Sequence, residues 1–194
     1  MTINNDQLYI NKVIHGDTNA FAFLVEKYKV MVFSLAMKIT KNREEAEEVS
    51  QDSFIKAFKS IHTFKGDSKF STWLYKIAYN NCMDRVKKNA RKYHTDTIDE
   101  VIENRIKATD DTMQTIERNE RAELMNDCLL ELPEDERSVL WLFYYKELSL
   151  KEIMEVTSLS LANLKVKLHR ARKKLLVIVQ ERVEPEIINH YGRK

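Results

Sequence analysis

The chain has 194 residues, of which 43% are hydrophobic and 32% charged, with only three glycines and two prolines. This length allows one or two domains with hydrophobic cores, and the scarcity of turn-forming residues predicts an all-α fold. The formal net charge is only +2, so the overall charge does not indicate nucleic-acid binding. The distribution of charge along the chain is more informative.

Cofactor chemistry and membrane insertion find no support in the sequence. Cys82 and Cys128 are the only cysteines and form no CxxC motif, so no zinc site or other cofactor is expected. The N-terminal residues are polar and contain no signal-peptide core, and no apolar run is long enough to cross a bilayer. We therefore expect a cytoplasmic protein with reduced cysteines.

Two helices are predicted in the first third of the chain, from Phe21 to Ile39 and from about Arg43 to Ile61, with Asn42 capping the second. The first turns of the second helix contain Glu44, Glu45, Glu47, Glu48 and Asp52. Acidic residues favour a helix N-terminus through the macrodipole, but five carboxylates exceed what capping needs. Helix stabilisation and an acidic docking surface for a cationic partner both remain open here.

A polar loop from Thr63 to Ser71 precedes a third helix, which is predicted to end near Arg91. Cations near its end suit a helix C-terminus without any ligand. Aromatic rings beside cations also bind single-stranded nucleic acid, because bases stack on the rings while the cations contact phosphates. Trp73 is expected in the core, and Tyr75 and Tyr79 are expected to be more exposed.

Hydrophobic periodicity is lost between residues 93 and 115, and residues 96–123 contain nine acidic residues against four cations. We interpret the first part as an extended, flexible acidic linker and the part from about Met113 as a helix. The linker is either a plain spacer or a strand that occupies a nucleic-acid channel by mimicking its charge. A further helix is predicted to begin at Pro133.

The stretch from Ser149 to Leu175 is typical of a helix-turn-helix. Ser149 and Glu152 form a capping box, and Ser160 can cap a second helix. Ser158 is the expected turn residue, because positive φ is costly for the β-branched Thr157. The second helix combines a buried leucine stripe with six cations and no acidic residue, which is typical of a recognition helix that enters the DNA major groove.

Four segments, in this order, resemble the bacterial sigma factors of the extracytoplasmic-function (ECF) group. AEEVSQDSFIKAF (Ala46–Phe58) is similar to the helix that binds core RNA polymerase. FSTWLYKIAYNNCMDRVKK (Phe70–Lys88) is similar to the segment that recognises the −10 promoter element. LPEDERSVLWLFYYKELSLKEI (Leu132–Ile153) and LKVKLHRARKKL (Leu164–Leu175) are similar to the domain that binds the −35 element.

The resemblance implies a non-enzymatic alternative sigma factor that binds core polymerase and directs promoter recognition, −10 melting and initiation. It implies core-polymerase contacts, at the β′ clamp helices, by Glu48, Gln51 and Asp52. It implies −10 contacts by Phe64, Lys65, Lys69, Lys76, Tyr79, Asn80, Asp84, Arg85 and Lys88, with the loop Thr63–Thr72 capturing a flipped base. It implies −35 contacts by Asn163, Lys165, Val166, Lys167, His169 and Arg170.

The resemblance also implies a domain organisation and partners. We expect a region 2-like domain at 1–92, a linker at 93–115, a region 4-like domain at 116–184 and a short tail at 185–194, too short for a fused sensor domain. The implied partners are core polymerase, including its β flap, promoter DNA and an anti-sigma factor, often a membrane-bound one. No small-molecule substrate and no metal are implied.

The recognition helix departs from the family pattern at several positions. It starts with Ala162-Asn163-Leu164 where the family usually has Gly-Thr-Val, and Val166 stands at the place of a common serine. Lys167 replaces a common arginine and therefore loses bidentate geometry toward guanine, whereas Val166 can contact a thymine methyl group. The −35 sequence therefore cannot be read from the family.

Two other functional classes are alternatives to the sigma-factor interpretation. A self-standing helix-turn-helix regulator would be a dimer that binds duplex DNA without polymerase, but it gives no role to the acidic linker or to Asn80 and Asp84. An enzyme would need a nucleophile–base pair, a phosphate-binding glycine loop or metal-ligand spacing, and the sequence contains none of them.

Overall fold

The computed structural model describes residues 5–93 and 113–182, which form eight α-helices, one short 3-10 turn at Ile61–Thr63 and no strand. The all-α prediction is confirmed. The helices are α1 Asn5–Ile14, α2 Ala20–Thr40, α3 Arg43–Ser60, α4 Phe70–Tyr93, α5 Met113–Glu131, α6 Glu134–Tyr144, α7 Leu150–Thr157 and α8 Leu161–Arg182. Most of the predicted linker and the predicted tail lie outside the described residues.

Local signals in the sequence fix the helix ends. The Asn42 side chain accepts a hydrogen bond from the Glu45 amide at 2.9 Å and starts α3. The Ser149–Glu152 capping box is formed in both directions at the start of α7. Ser158 ends α7 with φ 58°, as predicted. Pro133 is the N-cap of α6 rather than, as predicted, its first helical residue, because its ψ of 144° is extended and the helix starts at Glu134.

Helix α1 was not predicted, and its attachment to α2 explains why. Asp6 is only 4% exposed; it accepts hydrogen bonds from Lys27 Nζ at 2.5 Å and from the Tyr28 hydroxyl at 2.6 Å. Burial, and then this contact with Asp6, raise the pKa of Tyr28. The contacts that order α1 therefore come from residues about twenty positions away, where local periodicity gives no signal.

The first four helices form the N-terminal helix group, whose core lies between α2, α3 and α4. Leu24, Val32, Leu35, Ala36 and Ile39 of α2 are buried there. A polar network joins α3 to α4, since Lys56 donates to Asn81 and Asn81 donates to the buried Ser53 hydroxyl at 2.9 Å. The network satisfies polar groups that would otherwise be costly to bury.

The last four helices form the C-terminal helix group, in which α8 packs against α5, α6 and α7. Leu164, Leu168 and Ala171 are the buried stripe of α8, in agreement with the predicted spacing. Arg137 of α6 is fully buried, and its guanidinium donates to the backbone oxygens of Leu130 and Leu132 at 2.9 and 3.0 Å. This arginine fixes the turn that connects α5 to α6.

The two helix groups contact each other, with α7 packed on α4 and α6 packed on α2. The expectation that Tyr75 and Tyr79 are exposed is wrong, because they are only 3% and 8% exposed. Helix α4 is covered by α2 and α3 on one side and by α7 on another, so little of its surface is left for aromatic side chains. Tyr79 forms a side-chain hydrogen bond with Ser138 of α6.

Candidate nucleic-acid interface

The outer face of α8 is the first candidate surface, and its position follows from the helix-turn-helix geometry. The left-handed Ser158 reverses the chain, and the Ser160 hydroxyl accepts from the Asn163 amide at 3.3 Å to start α8. With the stripe of Leu164, Leu168 and Ala171 buried, the opposite face points outward. The exposed predicted residues are Asn163, Lys165, Val166, His169 and Arg170.

Lys167 differs from the other predicted −35 residues, because it is half-buried and forms an ion pair with Asp135 of α6. Lys174, which lies two helical turns after Lys167, forms an ion pair with Glu136 at 2.8 Å. Both lysines lie on the side of α8 that faces α6, so they help to attach the recognition helix to its own domain core. Their exposed neighbours are better placed to reach a ligand.

Lys173 belongs to the outer face of α8 but was not among the predicted contacts. It is exposed and lies three and four residues after Arg170 and His169, which are on the same face. The helical spacing in the sequence was sufficient to include it. Arg172 has a different environment, since its guanidinium lies 5.6 Å from the Phe143 ring and 5.4 Å from the Tyr144 ring.

The second candidate surface is an exposed row along α4. Lys76, Asn80, Asp84 and Lys88 are all exposed and follow one another at intervals of four residues, so the helix brings them onto one side. Tyr79 is not part of this row, because it is buried against α6. The row combines an amide that can read a base edge with two cations that can contact phosphates.

The loop that precedes α4 is anchored by aromatic rings. Phe64 packs against Phe70 and Trp73, with ring centroids 5.6 and 5.5 Å apart. Lys65 and Lys69 are exposed on the same loop. Lys69 is not a free cation, because its amine donates to the Glu152 carboxylate of α7 at 2.9 Å. The structure therefore brings one predicted −10 residue into contact with the helix-turn-helix.

The third candidate surface is acidic and lies on α3. Glu48, Gln51 and Asp52 are exposed on one side of the helix, opposite the buried Ala46, Val49 and Ala57. Glu48 accepts from Arg85 of α4 at 2.6 Å. Of the other carboxylates in this cluster, Glu47 pairs with Arg43 and Glu45 accepts from Asn89. Glu45 and Glu47 therefore hold the helix group together, whereas the exposed Glu48 and Asp52 are available to a partner.

The described residues, 5–93 and 113–182, contain no helix that is long and apolar enough to span a membrane. They also contain no group of three histidine, cysteine or acidic side chains arranged to hold a metal ion. Cys82 and Cys128 are free and buried, and burial raises the pKa of the Cys82 thiol to about 12.

Comparison with known families places two models on this chain. Residues 24–92 match Sigma-70 region 2, and residues 122–175 match Sigma-70, region 4. The first match contains the α3 and α4 surfaces, and the second contains the helix-turn-helix.

Similar curated proteins cover nearly the whole chain. The ECF RNA polymerase sigma factor SigW of Bacillus subtilis is 32% identical over 86% of this chain and 92% of its own length. The RNA polymerase sigma-H factor of Pseudomonas aeruginosa is 33% identical over 89% of this chain and 93% of its own.

Two solved structures share the fold. CnrH in complex with the cytosolic domain of CnrY has a TM-score of 0.62 at 22% identity and covers 92% of this chain and 99% of its own. The sigma factor RpoE of Bartonella quintana, in complex with the anti-sigma factor NepR, has a TM-score of 0.66 at 18% identity and covers 82% of this chain and 96% of its own.

Proposed function

Because this chain belongs to the ECF sigma factors, the alternative subunits that direct core RNA polymerase to promoters, we propose that its three exposed surfaces divide this task. The acidic surface of α3 binds the polymerase, the α4 row with its preceding loop binds the −10 element, and the outer face of α8 binds the −35 element. The chain has no catalytic step of its own in this proposal, and it acts in the cytoplasm, where its polymerase acts.

The polymerase contact is assigned to Glu48, Gln51 and Asp52. Their exposure on one side of α3 suits a cationic partner surface, and charge complementarity of this kind accelerates association and selects the partner. The cationic partner surface in this proposal is that of the clamp helices of the β′ subunit, as the family resemblance implies. Glu48 stands at a position where the family more often has an aspartate, and both side chains are negatively charged.

The −10 contact is assigned to the exposed row of Lys76, Asn80, Asp84 and Lys88, together with Phe64, Lys65 and Lys69 of the loop. Arg85 joins this set when its pair with Glu48 is released. Melting requires bases to leave the stack, and side chains that bind an unstacked base lower its cost. Tyr79 contributes to this surface only if α6 moves away.

The −35 contact is assigned to Asn163, Lys165, Val166, His169 and Arg170, with Lys173 added on geometric grounds. The cations fix the register of the helix on the phosphates, and the exposed Val166 favours a thymine methyl group. Lys167 is a secondary contact, because it must first leave Asp135. The β flap of polymerase is the expected anchor for the domain that contains α8.

The assigned surfaces imply a division into a region 2-like domain at 1–92 and a region 4-like domain at 116–184, separated by the linker at 93–115 and followed by the tail at 185–194. An anti-sigma factor is the expected regulator. RpoE of Bartonella quintana, which shares this fold, was solved in complex with one.

A single observation supports this division of labour most strongly: within one chain, an acidic helix face and an acid-free cationic helix face lie on different helix groups. The test is transcription by core polymerase on fragmented bacterial DNA, with and without the protein, followed by sequencing of transcript starts. Starts that share two spaced elements support the proposal. Starts identical to those of core polymerase alone contradict it, and protection of duplex DNA without polymerase would favour the dimeric regulator.

A further inference from the structure

The cations of α8 form two rows that differ in their partners. One row faces α5 and α6, and each of its members forms an ion pair with a carboxylate of those helices. The pairs are Lys167–Asp135, Lys174–Glu136 and Arg182–Glu131. Their cations are seven and eight residues apart, which is about two helical turns, so they lie on one side of α8. The other row is the exposed outer face that is assigned to the −35 element.

Lys167 is the paired cation that lies next to the −35 residues. Its neighbour Val166 is 48% exposed, whereas the Lys167 side chain is 23% exposed. Adjacent residues of a helix point in directions about 100° apart, and a lysine side chain is long and flexible enough to cover such an angle. Lys167 can therefore turn toward α6 or toward DNA bound at the outer face. Its ion pair with Asp135 holds it toward α6.

Asp135 is positioned by the start of α6. It lies in the first turn of that helix, where the macrodipole favours a carboxylate. Its side chain is short and has far fewer rotamers than that of a lysine. The next carboxylate, Glu136, has a cation of its own, since it pairs with Lys174. Lys167 is therefore the cation whose direction depends on Asp135.

The pair withholds a cation that would change the base preference of α8. A lysine amine in the major groove binds the O6 and N7 acceptors of guanine, whereas an apolar side chain contacts the methyl group of thymine. With Lys167 held by Asp135, the apolar Val166 is left to read its part of the groove. A released Lys167 would add a preference for guanine at a neighbouring base pair.

The exposure of the pair makes this restraint weak enough to alter. The Asp135 side chain is 42% exposed and that of Lys167 is 23% exposed, so water and salt screen their attraction. A cation that is bound this weakly is shared between its carboxylate and DNA, and removal of the carboxylate shifts it toward DNA. A neutral side chain in place of Asp135 should therefore change −35 recognition without unfolding the domain.

We propose, on the basis of the −35 surface assigned to α8, that Asp135 determines part of the −35 base preference by holding Lys167 away from the major groove. Asp135 touches no DNA in this role and acts only through Lys167, so it is a positioning residue. The pairs of Lys174 and Arg182 lie further along α8, away from Val166, and they attach the helix to its domain without this effect on base reading.

The test measures base preference directly on the complex of full-length protein and core polymerase. A promoter identified by sequencing transcript starts with the wild-type protein is given a randomised −35 region. The complex binds this library, and the bound DNA is sequenced. We expect Asp135→Asn to raise the ratio of guanine to other bases at least threefold at one position of the −35 element and to leave the other positions as in wild type. A purely structural role would instead weaken binding to all sequences.

Two comparison proteins show whether the change is due to Lys167. The double variant Asp135→Asn with Lys167→Ala should lose the added guanine preference, because the released cation is gone. Glu147→Gln removes one negative charge at an exposed position between α6 and α7, and it should leave the base preference unchanged. A thermal melt of each protein checks that it folds.

Three results would overturn the role of Asp135: base frequencies for Asp135→Asn equal to those of wild type, an added preference that remains in the double variant, or the same change in Glu147→Gln. Binding that becomes tighter for all sequences alike would also overturn it, because Lys167 would then contact a phosphate instead of a base. If the wild-type protein yields no promoter, the proposed function fails instead, so the two failures are distinguishable.

Discussion

Glu48 of α3 and Arg85 of α4 form an ion pair with a 2.6 Å contact, so the surface assigned to polymerase and the surface assigned to −10 DNA share one pair of side chains. The Glu48 side chain is 62% exposed and that of Arg85 is 23% exposed. An exposed carboxylate gains little from such a pair, because water and salt screen it. Glu48 is therefore available to a cationic partner, and its capture by that partner would release Arg85 toward DNA.

The stability contribution of this pair should be small. A double-mutant cycle with Glu48→Gln and Arg85→Met, measured by urea unfolding, should give a coupling free energy below about 1 kcal/mol. A coupling above about 2 kcal/mol would make the pair a structural element of the helix group and would argue against its exchange with a partner.

Charge reversal on the acidic face of α3 should weaken polymerase binding. Glu48→Lys with Asp52→Lys places two cations against a cationic partner, and we expect the affinity for core polymerase to fall roughly tenfold or more. Asp17→Lys with Glu26→Lys is the control, since it makes the same change in net charge at exposed positions of the N-terminal helix group outside α3. Fluorescence titration with core polymerase measures both, and equal affinity of the two variants would refute the docking assignment.

Arg170 should matter more than Lys167 for the −35 element. Arg170→Ala removes an exposed cation from the outer face of α8, and it should lower −35-dependent transcription severalfold and reduce the salt slope of DNA binding by about 1. Lys167→Ala should have a smaller effect on DNA, because Lys167 is paired with Asp135. Lys29→Ala on α2 is the control for the loss of one positive charge. If Arg170→Ala also lost polymerase binding, the variant would be misfolded and its effect on transcription would not support the −35 assignment.

The two faces of α8 should differ sharply in their effect on stability. Leu168 is 3% exposed and Val166 is 48% exposed. Leu168→Ala should reduce the free energy of unfolding by about 2–5 kcal/mol, whereas Val166→Ala should change it by less than about 0.5 kcal/mol. Chemical denaturation of both variants measures this difference. Similar values for the two positions would mean that α8 is rotated from the described orientation.

Glu152 should contribute stability with a defined pH dependence. The hydrogen bond from Lys69, followed by that from the Ser149 amide, lowers the pKa of Glu152 from 4.5 to about 2. A carboxyl group with a lowered pKa in the folded state stabilises the fold fully above its unfolded pKa, and this contribution is lost as the pH falls toward the folded pKa. The stability difference between wild type and Glu152→Gln should therefore be constant above about pH 5 and shrink between pH 4.5 and 2.

Thermal melts across this pH range measure the effect, with Glu155→Gln on the same helix as the control for loss of a carboxylate. A difference that stays constant down to pH 2.5 would show that the Lys69 contact does not hold the Glu152 charge.

Much of the fold could be predicted because its signals are local. Ser158 was predicted as the turn residue from steric cost alone, and the caps at Asn42 and Ser149 were read from neighbours three residues away. The buried stripe of α8 followed from helical spacing. Each of these features depends on residues within one or two turns, so one sequence is enough to find it.

The features that were missed depend on contacts between distant residues. The burial of Tyr79 requires α6, which lies about sixty positions later in the chain, and the pairing of Lys167 with Asp135 requires the crossing of α6 and α8. Arg137 looks in the sequence like one more charged residue after Pro133, and nothing local indicates that it is fully buried. Periodicity places a side chain on a face of its helix, but it does not identify what covers that face.

The most direct test of the central claim is size-exclusion chromatography of the purified protein mixed with bacterial core RNA polymerase, with DNA binding by the free protein measured alongside. We predict stoichiometric co-elution with polymerase, a monomeric free protein and weak binding of the free protein to duplex DNA. No co-elution, together with a dimer that binds duplex DNA unaided, would contradict the sigma-factor account and favour a self-standing helix-turn-helix regulator.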